Sequence, residues 1–209
     1  MEVLAAFLPP GMGRPLATLI LTSVVVMGSP GPSTISMTAV GASFGVRRSL
    51  GYASGLIVGT IGVLLIVAMG VAALVTSIPH GALVLGDISA VYIAFLAFKI
   101  ATAPPLESRS GQVAAPTFLG GVLLAIVNPK AYLAIAAVFA GTTVIADDHG
   151  LDAIVKTALL SLMIVAIHAC WLLVGASLSR VLHDPVSSRV INVALAAALV
   201  IMTVVAFLG

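Results

Sequence analysis

Ser29-Pro30-Gly31-Pro32-Ser33 interrupts a stretch that carries no charge between Arg14 and Arg47. Asn128-Pro129-Lys130 interrupts a second stretch, whose nearest other charges are Arg109 and Asp147. Pro30 and Pro129 are 99 residues apart in a chain of 209. Each follows a residue that favours a helix N-cap, Ser29 or Asn128. Each is therefore expected at the first position of a new helix, where its missing N–H costs nothing. A helix start leaves unpaired N–H groups and a partial positive charge, which favour an anion. Paired interruptions of hydrophobic segments, one in each half of a chain, point to a transporter's binding site. For either motif alone, an ordinary proline kink is the competing explanation.

Hydrophobic residues make up 61% of the chain and charged residues 8%, with a mean hydropathy of +1.26. Soluble domains carry about 25% charged residues and at most about half apolar ones, so this composition belongs to an integral membrane protein. The net charge of +2 and pI near 9.0 come from nine Lys and Arg scattered at segment ends. With no basic run, they read as topology determinants, and no nucleic-acid partner is expected. Cys170 is the sole cysteine, which rules out an internal disulfide and a two-thiol redox carrier. Met1 to Arg14 holds Glu2, two prolines and no basic leading region, and does not read as a cleaved signal peptide.

A span takes about 20 apolar residues. Six stretches qualify, roughly 15–42, 50–78, 83–103, 114–146, 156–179 and 189–208. The first and fourth are too long for one straight helix and hold the two interruptions. Arg47, Arg48, Lys99, Arg109, Arg180 and Arg189 fall on one side of this arrangement, against Arg14 and Lys156 on the other. The excess assigns the first set to the cytoplasm and both termini to the outside. The first and fourth segments then run in opposite directions. The expected fold is an all-α integral membrane protein of six transmembrane helices in one domain, 1–209, as two inverted three-helix repeats of about 1–105 and 106–209. Helices 1 and 4 are broken, at Pro-Gly-Pro and at Asn-Pro-Lys. Gly51, Gly55 and Gly59 recur every fourth residue with Gly62 close behind, a pattern for close helix packing inside the chain or, alternatively, in a homodimer.

Lys130 is the most informative single residue. A lysine at the centre of a membrane helix costs about 2.5–3.5 kcal/mol on insertion scales, and intramembrane ionisable groups are usually functional. It either supplies an ammonium to an anionic substrate, or merely caps a helix end or pairs with a distant carboxylate. Around the first interruption Ser29, Ser33, Thr34 and Ser36 offer hydroxyls, some needed for capping, and Gly31 gives the break its freedom. His168 lies well inside a span and is a proton relay or a packing residue. Asp87 and Asn192 fall near segment starts, and Tyr92 bonds across helices or packs. No catalytic motif is present, so no enzyme, cofactor or metal site is expected.

In order and spacing these motifs resemble the LysE/RhtB family of amino-acid exporters, nearly end to end. Pro30-Gly31-Pro32 is followed by Gly45-Val46-Arg47-Arg48 and then Gly51, Gly55, Gly59 and Gly70. Val91-Tyr92-Ile93-Ala94 is similar to the family's tyrosine-containing third helix. Gly121 with Asn128-Pro129-Lys130 matches the signature of the fourth, and Asn192 sits where the last helix often begins. Departures are Val63 beside Thr60, Ala125, Ala140, Ser89, Ala97 and Ala196, where the family often has polar residues, a proline or glycines. They imply a less polar binding surface, for an apolar amino acid rather than lysine. The resemblance implies export of amino acids or similar small zwitterions across a bacterial inner membrane, driven by the proton gradient through alternating access. It implies a substrate site of Pro30, Gly31, Pro32, Ser33, Thr34, Thr60, Tyr92, Asn128, Pro129 and Lys130. Lys130, His168 and Asp87 are the candidates for proton coupling. The rival readings are a non-transporting accessory protein of a lipid or envelope assembly and a cation exporter, the latter poorly served by so few intramembrane carboxylates.

Overall fold

Helix follows helix because apolar runs are broken only by glycine, proline and short polar turns. The computed structural model describes residues 12–70, 81–102, 115–178 and 185–208. Helix α1, Gly13–Thr22, widens into a π-helical turn at Ser23–Met27. Then come α2, Pro32–Ala68; α3, Gly81–Ala101; α4, Phe118–Val127; α5, Pro129–Ala140; α6, His149–Leu178; and α7, Pro185–Leu208. There is no strand among the described residues. Pro32–Ala68 and His149–Ser177 are long and apolar enough to cross a bilayer, and the bent pair α4–α5 is a third candidate. Leu21, Val25, Val91, Phe98, Leu133, Ile154 and Leu162 are exposed on the outside of the bundle. Apolar side chains on both inner and outer faces suit a hydrocarbon solvent rather than water.

The helix α2 doubles back. Gly45 has φ 69° and ψ 170°, a backbone conformation that only glycine adopts at little cost. The Tyr52 hydroxyl donates to Ser36 Oγ at 2.9 Å, and Ser49 Oγ donates to the Val40 carbonyl at 3.1 Å. In an uninterrupted helix residues 36 and 52 would lie about 24 Å apart. The element is therefore a hairpin of two arms, 32–44 and 46–68.

Glycines set how closely these arms approach their neighbours. A Cβ on Gly55 would strike the Phe118 carbonyl, and one on Gly59 would lie 2.7 Å from the Ala125 Cβ. Gly121 returns the approach against the backbone of Tyr52 and Leu56. The second arm and α4 thus pack backbone to backbone, which is the use to which two of the regularly spaced glycines are put. Gly51 and Gly62 have nothing within 4 Å. On the other arm Gly41 meets Leu172, and Gly175 of α6 meets the Thr38 backbone. Ser43 Oγ donates to Asn192 Oδ1 at 2.9 Å, tying the first arm to α7.

Three expectations need correction. The first interruption restarts at Pro32 with Gly31 as N-cap, not at Pro30 after Ser29. The physical reason is Thr34, whose Oγ1 accepts from Gly31 N–H at 2.9 Å three residues back, while Ser29 Oγ turns the other way to donate to Val26 C=O. The fifth apolar segment begins at His149 rather than 156, because Asp148 caps it by accepting from Leu151 N–H at 2.9 Å. Asp152 and Lys156 then pair one turn apart at 2.8 Å, both buried. The last helix begins at Pro185 rather than 189.

Candidate functional site

The two interruptions meet. Chain between Met27 and Pro32 is non-helical, and α4 and α5 are separated at Asn128 by a bend of 64°. Asn128 Oδ1 accepts from Lys130 N–H at 3.1 Å, an N-cap with Pro129 at the first helical position. Its amide Nδ2 donates to Ser33 Oγ of α2 at 2.8 Å. Asn128 is 2% exposed, so one buried side chain both starts α5 and ties it to the start of α2.

Lys130 spends its ammonium on the opposite break. Nζ donates to the Ser29 carbonyl at 3.0 Å, to Ser29 Oγ at 2.8 Å and to the Pro30 carbonyl. These three acceptors match the three donors of an ammonium. A break in a helix frees carbonyls that need partners in an apolar medium. Lys130 serves two of them, and Trp171 Nε1 of α6 serves a third, the Gly28 carbonyl, at 3.1 Å. Gly31 C=O accepts from Ile35 N–H at 2.9 Å. The Lys130 side chain reaches the break only because residue 31 has no side chain: a Cβ there would lie 2.7 Å from both Cδ and Nζ.

A cavity opens beside this junction. From the first break and α2 it is lined by Met27, Ser29, Gly31, Pro32, Ser33 and Thr34, and from the hairpin's second arm by Thr60. The second break and α5 contribute Asn128, Lys130, Ala131, Ala134 and Ile135, and α6 contributes Ile164, Ile167 and His168. At its polar end the N–H groups of Ser33 and Thr34 precede the first intrahelical bond of α2, which Ile35 donates. Lys130 N–H and Ala131 N–H at the start of α5 are already given to Asn128. The two helix starts are thus unequal: that of α2 keeps donors to offer.

Of the residues singled out from sequence, Ser29, Gly31, Pro32, Ser33, Thr34, Thr60, Asn128, Lys130 and His168 come together here. Pro30 is exposed and, with Pro129, shapes the breaks without lining the cavity. Asp87 is exposed on α3 and takes no part in the lining. The side chain of Tyr92 lies outside the described residues. Sequence reasoning missed Trp171 as a partner of the first break and the apolar wall of α6. The signal was present: Ile164, Ile167, His168 and Trp171 recur at helical spacing on one face.

A helical bundle that is apolar outside and holds a partly polar cavity between interrupted helices belongs to a membrane transport protein. Comparison with known proteins agrees. Residues 24–208 match the LysE type translocator family, and the chain belongs to that family. It is a transporter and not an enzyme. Proteins named cysteine/O-acetylserine efflux protein in Escherichia coli (strain K12) and Shigella sonnei (strain Ss046) are each 30% identical to it over 180 residues, covering 85% of this chain and 90% of theirs. No solved structure matches the chain.

Proposed function

We propose that this protein exports small, uncharged-side-chain amino acids or related zwitterions from the cytoplasm, binding them in the cavity between the two interruptions. The observation that carries this reading is the junction itself, where a lysine from one interruption is hydrogen-bonded to the carbonyls of the other beside a cavity lined by both. The substrate carboxylate lies against the free N–H groups at the start of α2, with Ser33, Thr34 and Asn128 adjacent. Lys130 acts on it through charge while its N–H groups brace the break. Thr60 adds a hydroxyl, and the apolar wall of Ala131, Ala134, Ile135, Ile164 and Ile167 takes a short side chain. Such a wall disfavours lysine, whose second ammonium would enter beside Lys130. The efflux of cysteine and O-acetylserine named for its relatives fits a site of this character.

In this reading the chain crosses a bacterial inner membrane six times, as two inverted halves, with both termini outside. The two arms of α2 belong to the first and second crossings, and α4 and α5 together make the fourth. The halves rock against each other to expose the cavity to either side, and proton entry drives the cycle. The test is efflux from proteoliposomes loaded with each of the twenty amino acids and O-acetylserine, with and without a pH gradient. Uphill efflux of small neutral amino acids is expected. Absence of flux for every solute, with protein shown to be inserted and folded, would overturn the proposal.

A further inference from the structure

Among the described residues one buried side-chain polar atom, on a residue that lines the cavity, has no hydrogen-bond partner. His168 is 5% exposed, and its Nδ1 lies 2.8 Å from the Ile164 carbonyl one turn earlier. A carbonyl can only accept, so Nδ1 carries the ring proton and Nε2 presents a bare lone pair. No hydrogen-bond donor meets that Nε2. A histidine kept only for packing would have both nitrogens satisfied or would be replaced by an apolar ring, since buried polar groups without partners are rare. Nearby acceptors are differently disposed. The carbonyls of the first break are held by Lys130, Trp171 and Ile35, and Thr60 Oγ1, its proton given to the Leu56 carbonyl at 2.7 Å, is left as a hydroxyl acceptor. The cavity therefore offers donors from the start of α2 and, besides the Thr60 hydroxyl, an imidazole acceptor from α6.

A zwitterionic amino acid presents the complement, a carboxylate acceptor and an ammonium donor on adjacent carbons. We propose that His168 Nε2 receives an N–H of the substrate's ammonium and so makes the site selective for α-amino acids over carboxylates that lack the amino group. This rests on the export reading and adds to it the partner of the amino end. His168 is a binding residue that a proton-relay role does not require to discriminate between solutes.

The experiment measures binding of alanine and of propionate, by isothermal titration calorimetry, to the detergent-solubilised original protein, H168L and H168Q. The original protein should bind alanine far more tightly than propionate. H168L should weaken alanine about ten- to hundredfold, the size of a lost charge-assisted hydrogen bond, and leave propionate nearly unchanged. H168Q, whose amide oxygen can accept, should recover part of the difference. An equal loss for both ligands in H168L, or no loss for either, would overturn the proposal while leaving export intact. Absence of O-acetylserine, alanine and serine efflux in the original protein would instead sink the export reading. If H168L does not fold, the ¹⁵N signal of His168 Nε2 in the original protein decides: it should move upfield with alanine and not with propionate, and an unmoved signal contradicts the assignment.

Discussion

Replacing Gly31 by alanine isolates the position of the Lys130 ammonium. Gly31 has φ −175° and ψ −179°, an extended backbone that alanine adopts freely, so the substitution carries no backbone strain. The new Cβ would stand 2.7 Å from Cδ and Nζ of Lys130 and 3.2 Å from Cε, too close to persist. The far end of a flexible side chain is the easiest thing to move, so the ammonium leaves some of its acceptors on Ser29 and Pro30. A hydrogen bond to a charged group contributes about 1.5–3 kcal/mol. At about 1.4 kcal/mol per factor of ten, losing one such bond predicts an efflux rate lower by about ten- to hundredfold. Stability should fall by less than that bond, because Gly→Ala returns about 0.4–1 kcal/mol through the unfolded chain. The assay is O-acetylserine efflux from proteoliposomes, normalised to folded, inserted protein. In a K130A background the same alanine has nothing to strike, so G31A/K130A should match K130A. Efflux by G31A at the original rate, or a further loss in the K130A background, would refute the reasoning.

Other changes separate the site from the scaffold. N128A removes the cap of α5 and the tie to Ser33, about 1 kcal/mol for each, and should lower the thermal midpoint by several degrees. N128D keeps the cap oxygen and should stay folded, yet lose transport because a carboxylate would stand where the substrate's lies; retained efflux would count against the anion site. D152A leaves the buried Lys156 unpaired and frees the N–H groups of Val144 and Ile145, now bonded to Asp152 Oδ1. It should cost about 3 kcal/mol, at the low end for a buried pair because the pair lies in the first turns of its helix, with the shift read by thermal denaturation in detergent. G55A should disrupt packing of the hairpin on α4, whereas G51A, with open space at its Cβ, should be neutral; equal yields of folded protein from both would contradict the packing described.

The class of protein was legible from composition, because 61% apolar residues with 8% charge leave no soluble alternative. The start of α5 was legible too, since Asn128 before Pro129 is a local signal that needs no tertiary partner. The start of α2 was misplaced because Pro30 and Pro32 are equally suited to a first helical position. What selects Pro32 is the back-bond from Thr34, a competition between neighbouring hydroxyls that spacing alone does not resolve. The early start of α6 escaped because Asp152 and Lys156 look like loop residues until their i,i+4 pairing and the Phe139 and Thr142 carbonyls accepting from Lys156 Nζ are seen. At the site, Lys130 was conspicuous as a buried charge, but its acceptors lie about 100 residues away in sequence. Trp171 was hidden for the same reason, since only tertiary structure places its indole on the Gly28 carbonyl.

Thr60 is buried, lines the cavity, and can be changed to cysteine in a C170A background that leaves no other thiol. The rate at which T60C reacts with a small methanethiosulfonate, measured with and without saturating O-acetylserine, reports directly on whether that cavity holds the transported solute. Labelling should slow with O-acetylserine or alanine but not with lysine, and labelled protein should no longer transport. Labelling at an unchanged rate under saturating solute, or full efflux from labelled protein, would place the transport route elsewhere.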